Sequence, residues 1–336
     1  MLYVTTRDQR DAHTAYKTLI SDTAQDGGCY IPFRTPILEA KDVDNLLSKG
    51  FSDIVTTILN RLFSANLTAW SLDFSVGRNC AKVVTLGQKT AVSQLWHNPE
   101  KRYSAMEKAL FNLIGKEHQL PESASQWAKI AIRFATLFGI YSQMLCSEVV
   151  KPEEEFDISV PADDFTAFMA AWYAKENGLP IRMILCGCDT ESGVWDLIHR
   201  GEVSTSGVSE TIVQGLERLV YGKWGREAAL DFVTARNESK TFAITEEMPK
   251  LSDSCFCSVV GSDRLNAVVN SVYRTDNCLI DKKTALSYAA MQDYRAKSGE
   301  NRITLIFADA DPTLSAQLIA DATGLTWDGM AALARK

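Results

Sequence analysis

The sequence predicts an α/β protein built on a parallel sheet, and three observations carry that expectation. Short apolar runs, FDISV (156–160), IRMILCG (181–187) and ITLIFA (303–308), read as buried strands. Helical patterns follow them at 164–177, 194–201 and 314–322. Strands alternating with helices point to βαβ units, whose crossovers lay successive strands parallel.

Taken in order, AKVVTL (81–86) reads as a further short strand. Asn98-Pro99 is a turn signal, and a helix pattern over 104–114 follows it. The stretch 125–145 is a long and mostly apolar helix. After FDISV the segment VPADDF leads into the helix 164–177, with Gly178 as its stop. Phe165, Phe168, Met169, Trp172 and Tyr173 recur there at helical spacing, which makes one apolar face for a packed core. VWDLIHRG (194–201) is helical, and the helix 314–322 ends before Gly324. The chain has no internal repeat and no low-complexity segment.

Composition narrows the function classes. Of 336 residues, 46% are hydrophobic and 23% charged, which is ordinary for a globular protein, and the length allows one large or two modest domains. The net charge of −7 and the lack of a basic run argue against nucleic acid and against an anionic membrane surface. The start, MLYVTTRDQRDAH, lacks the apolar core of a signal peptide, and no apolar run is long enough to span a bilayer, so a cytoplasmic location is expected. The eight cysteines include two C-x-C pairs, Cys186/Cys188 and Cys255/Cys257. In a strand such a pair puts both sulfurs on one face. Neither pair has a second ligand pair at zinc spacing, and the four histidines show no metal-binding spacing, so reduced structural thiols and no metal are expected.

Several segments together resemble a family. YVTTRD (3–8) and QDGGCYIP (25–32) are similar to the opening of threonine synthases, where S-T-R-G leads to D-G-G-L-Y-V-P. QWAKIAIRFATLFGIYSQM (126–144) resembles that family's N-W-A-R-I helix, and VPADDFTAFMAAWYAKENGLPI (160–181) resembles V-P-T-G-N-F-G-D followed by A-K-x-x-G-L-P-I. LIHRGEV (197–203), LERLVY (216–221) and LIDKKTALSYAA (279–290) follow in the family's order. The resemblance implies the parallel sheet flanked by helices of fold type II pyridoxal-phosphate (PLP) enzymes. It divides the chain into a threonine-synthase-like N-terminal segment, 1–80, and a remnant α/β core, 81–336.

The resemblance also implies a site, and the chain departs from it at each point. Such chemistry needs a Schiff-base lysine, a phosphate cradle and a partner for the pyridine nitrogen. Aligned on His97 and Pro99, WHNPEKRYSA stands where the family has F-H-G-P-T-L-A-F-K-D. Ser104 takes the lysine position, and a serine cannot form an imine. Lys101 lies early, and Lys108 lies one helical turn late. The phosphate loop G-N-F-G becomes Asp163, Asp164, Phe165 and Thr166, so both glycines are lost and two carboxylates stand where a dianion would bind. At the pyridine end, A-T-A-H-P becomes ADADP, with Asp309 and Asp311. Only KEHQLPE (116–122) occupies the place of the family's mobile cofactor-covering subdomain, which is therefore expected to be largely deleted.

Three readings follow. The first is a non-catalytic binding or interaction protein that has lost PLP and threonine synthase activity, with a homodimer or a protein partner covering the exposed core. The second is a PLP-independent lyase or transferase acting on a small amino-acid-like ligand in the remnant cleft, with His97, Lys101, Ser104, Glu107, Asp163, Asp164, Asp309 and Asp311 at its mouth. The third keeps PLP on Lys108. One of the two aspartates is expected to cap the helix after Pro161 and the other to face the cleft.

Overall fold

The computed structural model describes residues 1–34, 38, 40–68, 82–97, 103–114, 124–191 and 193–334. The N-terminal segment forms a small antiparallel sheet, with β1 (Leu2–Thr5) between β2 (His13–Thr14) and β3 (Tyr30–Pro32). Helix α1 (Ala15–Ile20) follows β2; α2 (Ala40–Leu47) and α3 (Phe51–Phe63) complete the segment.

The main sheet begins with β4 (Val83–Leu86) and β5 (Thr90–Gln94), joined by a tight turn. Helices α4 (Tyr103–Ile114) and α5 (Gln126–Cys146) lead to β6 (Phe156–Pro161), α6 (Phe165–Glu176) and β7 (Ile181–Cys188). Then come α7 (Gly193–His199), β8 (Glu202–Val203), α8 (Glu210–Asn237), β9 (Phe242–Ala243) and β10 (Cys255–Val259). The chain closes with α9 (Ser262–Asp276), α10 (Lys282–Ser298), β11 (Thr304–Ala308), α11 (Ala316–Thr323) and α12 (Trp327–Ala334).

The six strands run in the order β10-β7-β6-β11-β5-β4. The five from β10 to β5 are parallel, as the alternation predicts. β4 is the exception: it pairs antiparallel with β5, because a turn at Gly87, whose φ is +58°, is too short for a crossover. The expected helix 314–322 also differs, since 312–315 is a single 3₁₀ turn started by Pro312 and the α-helix begins at Ala316. The helices α5, α6, α3 and α8 build one core, and α9, α10 and α11 build a second across the sheet. The connection 116–122 lies outside the described residues; α4, which precedes it, packs on α5.

Close approach fixes how the layers meet. A Cβ at Gly187 would lie 2.1 Å from the carbonyl oxygen of Leu286, so β7 and α10 touch backbone to backbone there. The N-terminal segment is tied to the rest by charge: Arg7 Nη2 donates to the buried Glu217 of α8 at 2.9 Å, and Thr6 also donates to that carboxylate. Thus two segments that carried the resemblance, YVTTRD and LERLVY, contact each other in the fold. The two C-x-C pairs come together rather than standing alone. Cys186 lies opposite Cys257 on neighbouring strands, and the Cys188 and Cys257 sulfurs are 3.7 Å apart. Among the described residues, no helix is long and apolar enough to cross a membrane.

Candidate functional site: a bridged cleft at the strand ends

The carboxyl ends of β5, β6 and β11 lie side by side, so the loops after them meet in space although they are distant in sequence. Ligands of parallel sheets bind at such strand ends. The β6–α6 loop supplies Asp163 and Asp164. Asp164 is the N-cap of α6: its Oδ1 accepts from the Ala167 amide at 3.1 Å and from the Thr166 hydroxyl at 2.6 Å. An aspartate suits this place because it satisfies an orphan amide and offsets the positive end of the helix dipole.

Its other oxygen meets a residue that the sequence patterns did not single out. Arg133 of α5 sits 3.4 Å from Asp164 Oδ2 and 3.5 Å from Asp309 Oδ2, and its guanidinium lies 4.4 Å from the centre of the buried Tyr103 ring. One cation thereby joins the loop after β6 to the loop after β11. The signal that could have found it is the lone charge in the apolar run IAIRFATLF, since a helix buried on nearly every side does not keep an arginine without partners.

The electrostatics follow from burial and this bridge. Burial pushes Asp164 upward, but the Arg133 charge, the Thr166 hydroxyl and the Ala167 amide outweigh it and hold its pKa below the ordinary carboxylate value. Asp309 goes the other way: burial, aided by the neighbouring Asp164 charge, raises it to about 6 against the pull of Arg133. Burial and the Asp309 charge raise the Tyr103 phenol, and burial raises Glu107 against Lys129 and Arg133. The Tyr103 hydroxyl, Arg133 Nε and Asp309 Oδ1 are buried without a hydrogen-bond partner of good geometry.

The other expected site residues disperse. Ser104 is exposed on the first turn of α4, Lys108 is exposed further along, and Glu107 is half-buried between them. Lys101 lies outside the described residues. His97 ends a 3₁₀ turn after β5 and lines a cavity of about 420 Å³ with Asp311, Trp96 and Trp327, which neither Arg133 nor Asp309 reaches. Burial and Lys82 lower the His97 pKa, against Asp311. Asp311 accepts from the Thr313 amide and hydroxyl at 2.9 and 2.7 Å, so it caps its own turn. The division of labour expected between the two acids does not occur, because one residue takes both roles. The capping residue Asp164 is the one that enters the cleft, while Asp163 stays exposed and lies 3.6 Å from Lys283. The Ala167 amide, the Thr166 hydroxyl and the bridge all converge on position 164, leaving position 163 outside. Phe165 packs against Gly215 of α8, and Thr166 serves the cap.

Fold and site define the class: an α/β protein with the architecture of fold type II PLP enzymes. The N-terminal segment narrows it further, because residues 2–78 match the family described as threonine synthase N terminus. Over that segment the chain is similar to the threonine synthases. A structure of a PLP-bound threonine synthase from Brucella melitensis superposes with a TM-score of 0.77 at 17% identity, covering 100% of this chain and 95% of that one. The yeast threonine synthase gives 0.76 at 14% identity, covering 97% and 90%. The curated protein threonine synthase-like 1 from Pongo abelii is 22% identical over 185 residues, which is 51% of this chain but 25% of its relative. The chain thus spans only about a quarter of that relative's length.

Proposed function

We propose that this threonine-synthase-like chain has given up PLP and threonine synthesis and acts as a non-catalytic binding protein. The observation that carries this reading is the Asp164–Arg133–Asp309 bridge. A phosphate needs free amides at a helix start, and here the Ala167 amide is taken by Asp164. Two carboxylates held by one arginine repel a dianion from the same place. The residues present therefore do not fit PLP: the lysine position is Ser104, and Lys108 is an exposed helix residue. On the same reading, the segment 116–122 replaces the covering subdomain. The exposed Leu314 and Trp327, the latter lining the His97 cavity, offer apolar area for a second copy or a protein partner.

The test is direct. The purified protein, incubated with PLP and desalted, is expected to show no visible absorption band and no borohydride-fixed adduct. A stoichiometric adduct on Lys108, located by peptide mass mapping, overturns the proposal in favour of a displaced Schiff base. A second reading, a PLP-independent enzyme, draws on Asp309, because a carboxyl group near pH 6 is placed to accept or donate a proton. Turnover that disappears in Asp309→Asn while the fold persists would favour it.

A further inference from the structure

One cavity belongs to neither the bridge nor the His97 end. It encloses about 620 Å³ at the carboxyl ends of β6 and β7, within the size range of small-molecule sites. Asp163 lines it, whereas Asp164, Arg133 and Asp309 do not. Its apolar lining comes from Phe165, Ile212 and Leu286. The tight contact of Gly187 with Leu286 holds β7 and α10 together beneath it, so this part of the wall is rigid.

The polar wall carries four carboxylates and two lysines, and Arg200, which is not part of the wall, pairs two of those carboxylates, so the charges nearly balance. Lys282 lies 2.7 Å from Asp189 and Lys283 lies 3.6 Å from Asp163, both at the start of α10. Glu191 and Asp196 share Arg200 at 2.9 and 2.8 Å. Such a balance does not favour a polyanion such as a nucleotide, nor a multivalent cation. Lysines in the first turn of a helix oppose its dipole, so helix stability does not account for Lys282 and Lys283. The Lys283 pair is longer than a good hydrogen bond, which leaves ammonium donors for another acceptor. Ser209 sits at the N-cap of α8 and lines the cavity, yet its side chain makes no cap bond. Ser209, free of a cap bond, and Lys283 therefore line the same cavity.

We infer that this cavity binds a zwitterionic ligand of amino-acid to dipeptide size with an apolar side chain. Its carboxylate would lie between Lys283 and the Ser209 helix start, its ammonium group against the carboxylate wall, and its side chain on Phe165, Ile212 and Leu286. The inference does not rest on the loss of PLP: a yellow protein that binds such a ligand would sink the previous reading and keep this one.

Saturation-transfer NMR on the full chain tests it, with L-leucine, L-phenylalanine and leucyl-leucine as probes. Leucinamide lacks the carboxylate and 4-methylpentanoate lacks the ammonium group. At least one zwitterion is expected to bind at about 10 mM or below, with each single-headed analogue at least about tenfold weaker. Ser206→Trp, on an exposed turn of the cavity wall, is expected to abolish binding, and Lys283→Glu to weaken it at least about tenfold, while Asp309→Asn leaves it unchanged. No transfer to any zwitterion, equal binding of the single-headed analogues, or binding that survives Ser206→Trp but disappears in Asp309→Asn would overturn the proposal.

Discussion

Asp164 and Asp309 share one guanidinium, that of Arg133, at 3.4 and 3.5 Å. The two carboxylates come from different loops of the sheet, so the bridge holds the ends of β6 and β11 as a unit. Removing its cation while both acids remain is expected to be costly. Arg133→Leu leaves two half-buried carboxylates without their cation, and unfolding in urea should show a loss of about 1–3 kcal/mol at neutral pH, between the values for exposed and buried pairs. The loss should shrink toward pH 5 as Asp309, already raised to about 6, takes up a proton. A variant as stable as the wild type at pH 7.5 would show that the bridge contributes nothing.

The cap predicts a contrast between neighbours. Asp164→Ala removes the bond to the Ala167 amide and is expected to cost about 1 kcal/mol for the cap alone. Loss of the Arg133 partner adds to that cost. Asp163→Asn, at an exposed position, should stay within about 0.5 kcal/mol of the wild type. Thermal or urea unfolding of both variants checks the order, and equal effects would contradict the assignment of Asp164 as the cap.

One buried and one half-buried carboxyl group set a pH dependence of known sign. Burial raises Asp157 to about 6 against the Arg302 charge and the Met183 amide, and it raises Asp309 to the same region. In each case the folded state holds the proton more tightly than the unfolded chain. Stability carried by these protons is therefore present near pH 4 and falls as the pH rises to about 6, with the full loss above that. Asp164, whose pKa is lowered, works in the opposite sense at lower pH. Asp157→Asn should flatten the urea midpoint between pH 4.5 and 6.5, by on the order of 2–3 kcal/mol at its upper end. A profile unchanged by the substitution would rule Asp157 out as a source.

The contact beneath the large cavity gives the sharpest steric expectation. Gly187→Ala puts a Cβ 2.1 Å from the Leu286 carbonyl oxygen, and neither backbone can yield without parting β7 from α10. The cost should be about 3 kcal/mol or more, at the upper end of overpacking effects, and read as a lost unfolding transition or a strongly reduced melting temperature. Wild-type melting would show that the layers move apart freely.

The sequence by itself determined what depends on near neighbours. Apolar runs of strand length between helical patterns specified the parallel strands β6, β7 and β11, and an acid before an apolar helix specified a cap at 163 or 164. Capping and periodicity act within one or two turns, so a single chain segment expresses them. Tertiary structure alone decided that β11 inserts between β6 and β5, that β4 turns back antiparallel, and that Arg133 rather than a histidine or serine organises the cleft. It also set Asp163 on one cavity and Asp164 in the other, and brought two C-x-C pairs onto neighbouring strands. These outcomes depend on which distant surfaces bury each other. A buried charge can be recognised in a sequence as unusual, but its partners become fixed only when packing removes water from around it.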